Sequence, residues 1–65
     1  MTADEWRKRA IALREKDVPY ALMGRMAGVS RSMMARWAKG ERGLGEENFK
    51  KVCDRIERIE QMFED

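Results

Sequence analysis

Histidine is absent from this sequence of 65 residues, and cysteine occurs once, at Cys53. Without imidazoles or a cysteine pair there is no ligand set for zinc, and no internal disulfide can form. No nucleophile–base arrangement is evident. The glycines fall at turns rather than in a Walker pattern, so no phosphate-cradling loop is expected. No stretch approaches the roughly 20 apolar residues of a membrane span, and the charged N-terminal residues show no secretory pattern. These shortages argue against an enzyme, a metal, a cofactor or a membrane association. They lead us to expect a soluble, cytoplasmic protein.

Charge, by contrast, is plentiful: 14 basic and 12 acidic side chains give a net +2. Its distribution is uneven. Residues 1–19 carry +1, residues 20–45 carry +4 and residues 46–65 carry −3. In the middle segment Arg25, Arg31, Arg36, Lys39 and Arg42 stand against Glu41 alone. Positive charge concentrated on one segment is the footprint expected for phosphate; a solvated basic surface without a ligand is the plainer alternative. The length indicates a single domain over 1–65, near the small end of what folds alone, for which self-association is a reasonable expectation.

The organising stretch is Tyr20–Gly40, YALMGRMAGVSRSMMARWAKG. Leu22, Met23, Met26 and Ala27 recur at helical spacing before Gly28-Val29-Ser30, and Met33, Met34 and Trp37 recur after it. Two helices so short and so tightly joined must cross steeply, as in a helix-turn-helix. Gly28 suits the left-handed residue that ends the first helix. Val29 is expected to fill the wedge between the helices, and Ser30 to cap the second. Gly24 is the oddity, because a mid-helix glycine costs about 1 kcal/mol relative to alanine. Close approach of the second helix is the expected compensation.

This stretch resembles the phage-repressor-like (Xre, or lambda-repressor-like) DNA-binding domains. Their motif runs glutamine, two variable residues, leucine-alanine, three variable residues and GVS, then an isoleucine after three more residues and a closing tryptophan-glutamate-x-glycine. Met23 stands for the leucine, Gly24 for the alanine and Met34 for the isoleucine, with Gly28-Val29-Ser30, Trp37 and Gly40 in register. Ile11-Ala12-Leu13-Arg14 is similar to the end of the family's first helix, so the resemblance covers about residues 4–45. Tyr20 replaces the backbone-bracing glutamine, though its hydroxyl can still donate to a phosphate. Ala38 replaces the glutamate that pairs with the first-helix arginine, leaving Glu41 as a candidate partner for Arg14. Gly43-Leu44-Gly45 follows where many relatives carry a proline.

The resemblance implies an all-α fold: a compact four-helix lambda-repressor-like DNA-binding domain with the helix-turn-helix at 20–40 and a long C-terminal helix. Around it, Thr2-Ala3-Asp4-Glu5 has the form of a capping box. A first helix is expected over about 3–16, with Trp6, Ala10 and Leu13 on one face. Packing is preferred to ligand contact for Trp6, and Arg7, Lys8, Arg9 and Arg14 are read as mostly solvent-facing. Asp17-Val18-Pro19 breaks that helix, and the next should span about 19–27. Its amide end, beside Tyr20, is a natural phosphate seat. The third helix is expected over 31–38.

On that third helix Met34 and Trp37 should face the core with Val29, and Met33 is ambiguous with packing favoured. Arg31, Ser32, Ala35 and Arg36 share the opposite side, which in the family faces the major groove. Arginine presents a two-pronged donor to guanine O6 and N7, worth about 1–3 kcal/mol of base discrimination. Arg31 and Arg36 are the leading candidates for base reading, with Ser32 next. Tyr20, Ser30, Lys39 and Arg42 are assigned to the DNA backbone, where contacts position rather than specify.

From Glu46 to about Phe63 the pattern is one long helix with an apolar stripe of Phe49, Val52, Cys53, Ile56, Ile59 and Phe63, Met62 adjacent. Glu46–Lys50, Glu47–Lys51 and Asp54–Arg58 are spaced for ion pairs. The far end of this rod is expected to outrun its own domain. Ile56, Ile59, Met62 and Phe63 would then form a homodimer interface, and a helix folded back wholly on its own chain is the alternative. Cys53 is read as a small core residue. The function expected is a sequence-specific double-stranded DNA-binding transcriptional regulator. We expect a small dimeric repressor of phage or mobile-element type, acting in a bacterial cytosol or a phage-infected cell on a palindromic operator. The alternative is a protein-interaction module, an antitoxin or antirepressor working through the C-terminal helix.

Overall fold

In a computed structural model, which describes residues 2–64, the chain forms helices α1 (Ala3–Glu15), α2 (Tyr20–Ala27), α3 (Arg31–Ala38) and α4 (Glu46–Met62). No strand occurs among the described residues, so the fold is all-α as the periodicity requires. The helix ends lie within one residue of those expected. Residues 1 and 65, the limits of the expected domain, lie outside the described residues.

Local chemistry starts and stops these helices. The Thr2 hydroxyl accepts the Glu5 amide at 3.3 Å, and Asp4 and Glu5 sit at the positive end of α1. Ser30 does the same for α3, accepting from the Met33 amide at 3.1 Å. Three helices then close in one way, with two crossed backbone bonds around a residue of positive φ. After α1 the amides of Asp17 and Val18 donate to Arg14 and Leu13 oxygens, both at 3.1 Å. After α2, Gly28 donates to Arg25 at 3.4 Å and Val29 to Gly24 at 2.8 Å. After α3, Gly40 donates to Trp37 at 2.9 Å and Glu41 to Arg36 at 2.8 Å. The pivots have φ of 70° at Asp17, 78° at Gly28 and 80° at Gly40. Val18 and Val29, the residues just past the first two pivots, turn inward and are buried.

The corner between α2 and α3 explains Gly24. A Cβ there would lie 2.5 Å from the Val29 carbonyl oxygen, 3.2 Å from that of Ser30 and 3.1 Å from Met34 Cγ. The expected close approach is present, and its nearest obstacle is backbone rather than a movable side chain. Around this corner Trp37, Met34, Met23, Leu13, Val52 and Ile56 are almost wholly buried. Phe49 meets the Trp37 ring edge-on, with centroids 6.1 Å apart.

Arginines on α1 and α4 tie the layers together, against the expectation that Arg7 and Arg9 simply face solvent. Arg7 Nε donates to the Trp37 carbonyl at 2.7 Å, and its Nη2 to that of Arg42 at 3.4 Å. Arg9 stacks over Trp6, 4.1 Å from the ring centroid, and pairs with Glu60 on α4 through Nε and Nη2, which donate to the two carboxylate oxygens. Arg55 Nε donates to the Met26 carbonyl at 2.8 Å, holding α4 to the end of α2.

These ties correct the reading of α4. Ile56 and Ile59 are only 1% and 3% exposed within the single chain, because α1 lies alongside and the Arg9–Glu60 pair holds the last turns against it. They belong to the chain's own core, not to a free surface awaiting a second copy. Only Met62 (74% exposed) and Phe63 (51%) remain outside, with Lys16 Nζ 5.5 Å from the Phe63 ring centroid. The three ion pairs read from the spacing of α4 form, at 3.5, 3.9 and 3.1 Å. Being exposed, each contributes only about 0.3–0.5 kcal/mol.

Gly24→Ala should destabilise the protein even though alanine favours a helix by about 1 kcal/mol. Overpacking against backbone costs about 1–3 kcal/mol or more, so the urea midpoint should fall. Arg7→Ala should cost about 1–2 kcal/mol through the lost bond to Trp37, whereas Lys8→Ala, on the exposed face, should stay within about 0.5 kcal/mol. Thermal unfolding of the two variants separates these outcomes.

Candidate functional site

Helix α3 has two unlike sides because 3.6 residues make a turn. Met34, Trp37 and Ala38 point into the core. Arg31, Ser32 and Arg36 are exposed on the other side, and Ala35 between them is half-buried. The four residues expected to read bases are therefore brought to one face of one rigid, well-braced helix, with Ala35 recessed as a floor.

The residues assigned to the DNA backbone flank this face unevenly. Lys39 and Arg42 are exposed where the chain leaves α3. Arg42 Nε is turned back on its own loop, donating to the Gly43 carbonyl at 3.0 Å. Ser30 is exposed, but its oxygen already accepts the Met33 amide, so its first task is to cap α3. Tyr20 is half-buried at the start of α2, packed on the core. Burial raises its phenol above the ordinary value, with Arg14 opposing, so the hydroxyl stays protonated as a donor. Arg25, in the last turn of α2, is exposed as well.

Glu41 departs from its expected role. It does not serve Arg14; its Oε1 lies 3.9 Å from Arg36 Nε. The cause is the closure at Gly40, which folds the chain back so that residues five apart meet. The signal was present in the sequence, since a glycine two residues beyond the last apolar helical position marks this closure. The tethering roles of Arg7, Arg9 and Arg55 had no comparable signal: their partners are 30, 51 and 29 residues away.

Cys53 is half-buried on α4. Desolvation, with Glu57 adding to it and Arg9 opposing, pushes its thiol up to about 11. It is therefore a protonated packing group at neutral pH and not a reactive thiolate. Among the described residues no group of histidine, cysteine, aspartate or glutamate could hold a metal ion, and no helix is long and apolar enough to cross a membrane. No protein-family model, curated protein or solved structure matches this chain.

Cys53 should react with iodoacetamide at pH 8 about tenfold or more slowly in the folded protein than in urea, because its thiolate is scarce. The folded thiol also holds its proton more tightly than an exposed one, about 11 against 9.0. Its contribution to stability is thus fully present below pH 9.0 and is lost as pH rises toward 11. Alkylation followed by mass spectrometry checks the first expectation, and urea unfolding across that range checks the second.

Proposed function

We propose that this chain is a small sequence-specific double-stranded-DNA-binding regulator, built as a lambda-repressor-like helix-turn-helix domain with α3 as its recognition helix. The observation that carries the reading is the exposed Arg31, Ser32 and Arg36 face of α3, opposite a side sealed into the core. Two arginine forks on one short rod match the acceptor pairs that guanine presents in the major groove. The amide end of α2 beside Tyr20, together with Lys39 and Arg42, supplies donors and charge for the phosphates on either side. The match of Tyr20–Gly40 to the repressor-like motif agrees with this assignment and favours a repressor of phage or mobile-element type.

One short helix reads few base pairs, so two copies on a palindrome are part of the proposal, with half-sites about 10 bp apart. On α4, Met62 and Phe63 are the large apolar residues left exposed for that contact. The same pair favours a second reading, in which the acidic end of α4 docks a protein partner and DNA is not the target.

Duplexes selected from a random pool should converge on a palindrome, and sedimentation should give a dimer on it. Arg31→Ala or Arg36→Ala should each lower specific affinity about 5- to 150-fold, equivalent to about 1–3 kcal/mol per lost base contact. Affinity should fall steeply with salt, with a slope of about −0.9 per phosphate neutralised. An absence of duplex binding at low salt, with a protein complex unaffected by these two changes, would establish the second reading.

A further inference from the structure

Three helices end in the same closure, and the third differs in what the closure brings together. In the first it joins Leu13 to Val18 and in the second Gly24 to Val29, with each valine buried. An apolar contact across this motif is its usual companion. In the third the joined residues are Arg36 and Glu41, both more than half exposed. An ion pair replaces the apolar lock where the chain leaves α3. Glu41 is also the sole acidic residue in 20–45.

A carboxylate beside a phosphate-binding surface repels the ligand, so its placement calls for a compensating role. The geometry provides one. Glu41 Oε1 comes within 3.9 Å of Arg36 Nε, an ion-pair distance without a hydrogen bond. The two terminal nitrogens of an arginine are the pair that reaches guanine O6 and N7 end-on. The backbone bond from the Glu41 amide to the Arg36 carbonyl, at 2.8 Å, and the left-handed Gly40 between them hold the Glu41 main chain beside that of Arg36.

We propose that Glu41 is a positioning residue that sets the sequence selectivity of Arg36. Its carboxylate partners the guanidinium in the free protein and opposes transfer of that arginine onto a neighbouring phosphate. This inference rests on the DNA-reading proposal above. Specific contact gains because less side-chain freedom is lost on binding. Non-specific contact is weakened because one cation is already partnered and one anion faces the backbone.

The test compares wild type, Glu41→Gln, Arg36→Ala and the double variant on two probes: the duplex that wild type selects from a random pool, and a random duplex of equal length. Glu41→Gln should bind the random duplex about three- to tenfold more tightly at low salt and steepen its salt slope by about 0.9, as one arginine is released to phosphate. The preference for guanine at the Arg36 position should fall about fivefold or more. Both effects should vanish in the Arg36→Ala background, because the coupling passes through that side chain. If Glu41→Gln has the same effect with or without Arg36, the carboxylate acts only as bulk charge and the proposal fails. If Arg31→Ala weakens binding while Glu41→Gln changes neither probe, the proposal fails and the DNA reading stands. If wild type binds neither probe, both are overturned.

Discussion

The contact on which the fold depends is the one at Gly24, where α2 offers bare backbone to the carbonyl oxygens of Val29 and Ser30. A side chain there would push the two helices apart by a fraction of an ångström or more. Everything downstream is dimensioned by that closeness: the wedge that Val29 fills, the seat of Met34 and the depth to which Trp37 sinks between α1 and α4. The cost of a glycine in mid-helix is the cost of a short corner, and a short corner makes α3 rigid enough to hold an exposed polar face in one orientation.

The arginine tethers add to that bracing. An eight-residue helix has little stability of its own. Helix α3 is held from below by its apolar side and at its C-terminal end by Arg7, which donates to the Trp37 carbonyl, alongside the Gly40 amide, and to the Arg42 carbonyl in the loop beyond. Arg55 closes the end of α2 in the same manner through Met26. The chain thus uses its basic residues in two ways. Arg7, Arg9 and Arg55, on α1 and α4, reach inward to carbonyls and a carboxylate, and those from Arg25 to Arg42 are left mostly outward. Net charge alone does not distinguish the two populations; only the fold does.

Much of this was legible in the sequence because it is local. The helix ends follow from Thr2, Pro19, Gly28 and Ser30, each acting within a turn of its own position, and the buried faces follow from helical spacing. The close approach at Gly24 could be inferred because a costly residue in a regular element demands a reason. What escaped was non-local. The tethers of Arg7 and Arg9 connect α1 to α3 and α4 across gaps that no periodicity spans. The same long-range packing drew Ile56 and Ile59 into the core, whereas counting turns along α4 placed them beyond it. Length predicted the rod correctly, but α1 reaches far enough to cover it.

The placement of Glu41, a candidate partner for Arg14 that instead meets Arg36, carries the most consequence. Once the closure at Gly40 is recognised, the partner is dictated by the chain itself: residues five apart across such a turn must meet, whatever their side chains. At Val18 and Val29 that necessity serves the core. At Glu41 it lies at the edge of the polar face, where an apolar side chain would bury nothing and a charged one acts on its neighbour. A single backbone device therefore stabilises the fold at two of its corners and, at the third, sets an acidic side chain beside an exposed arginine.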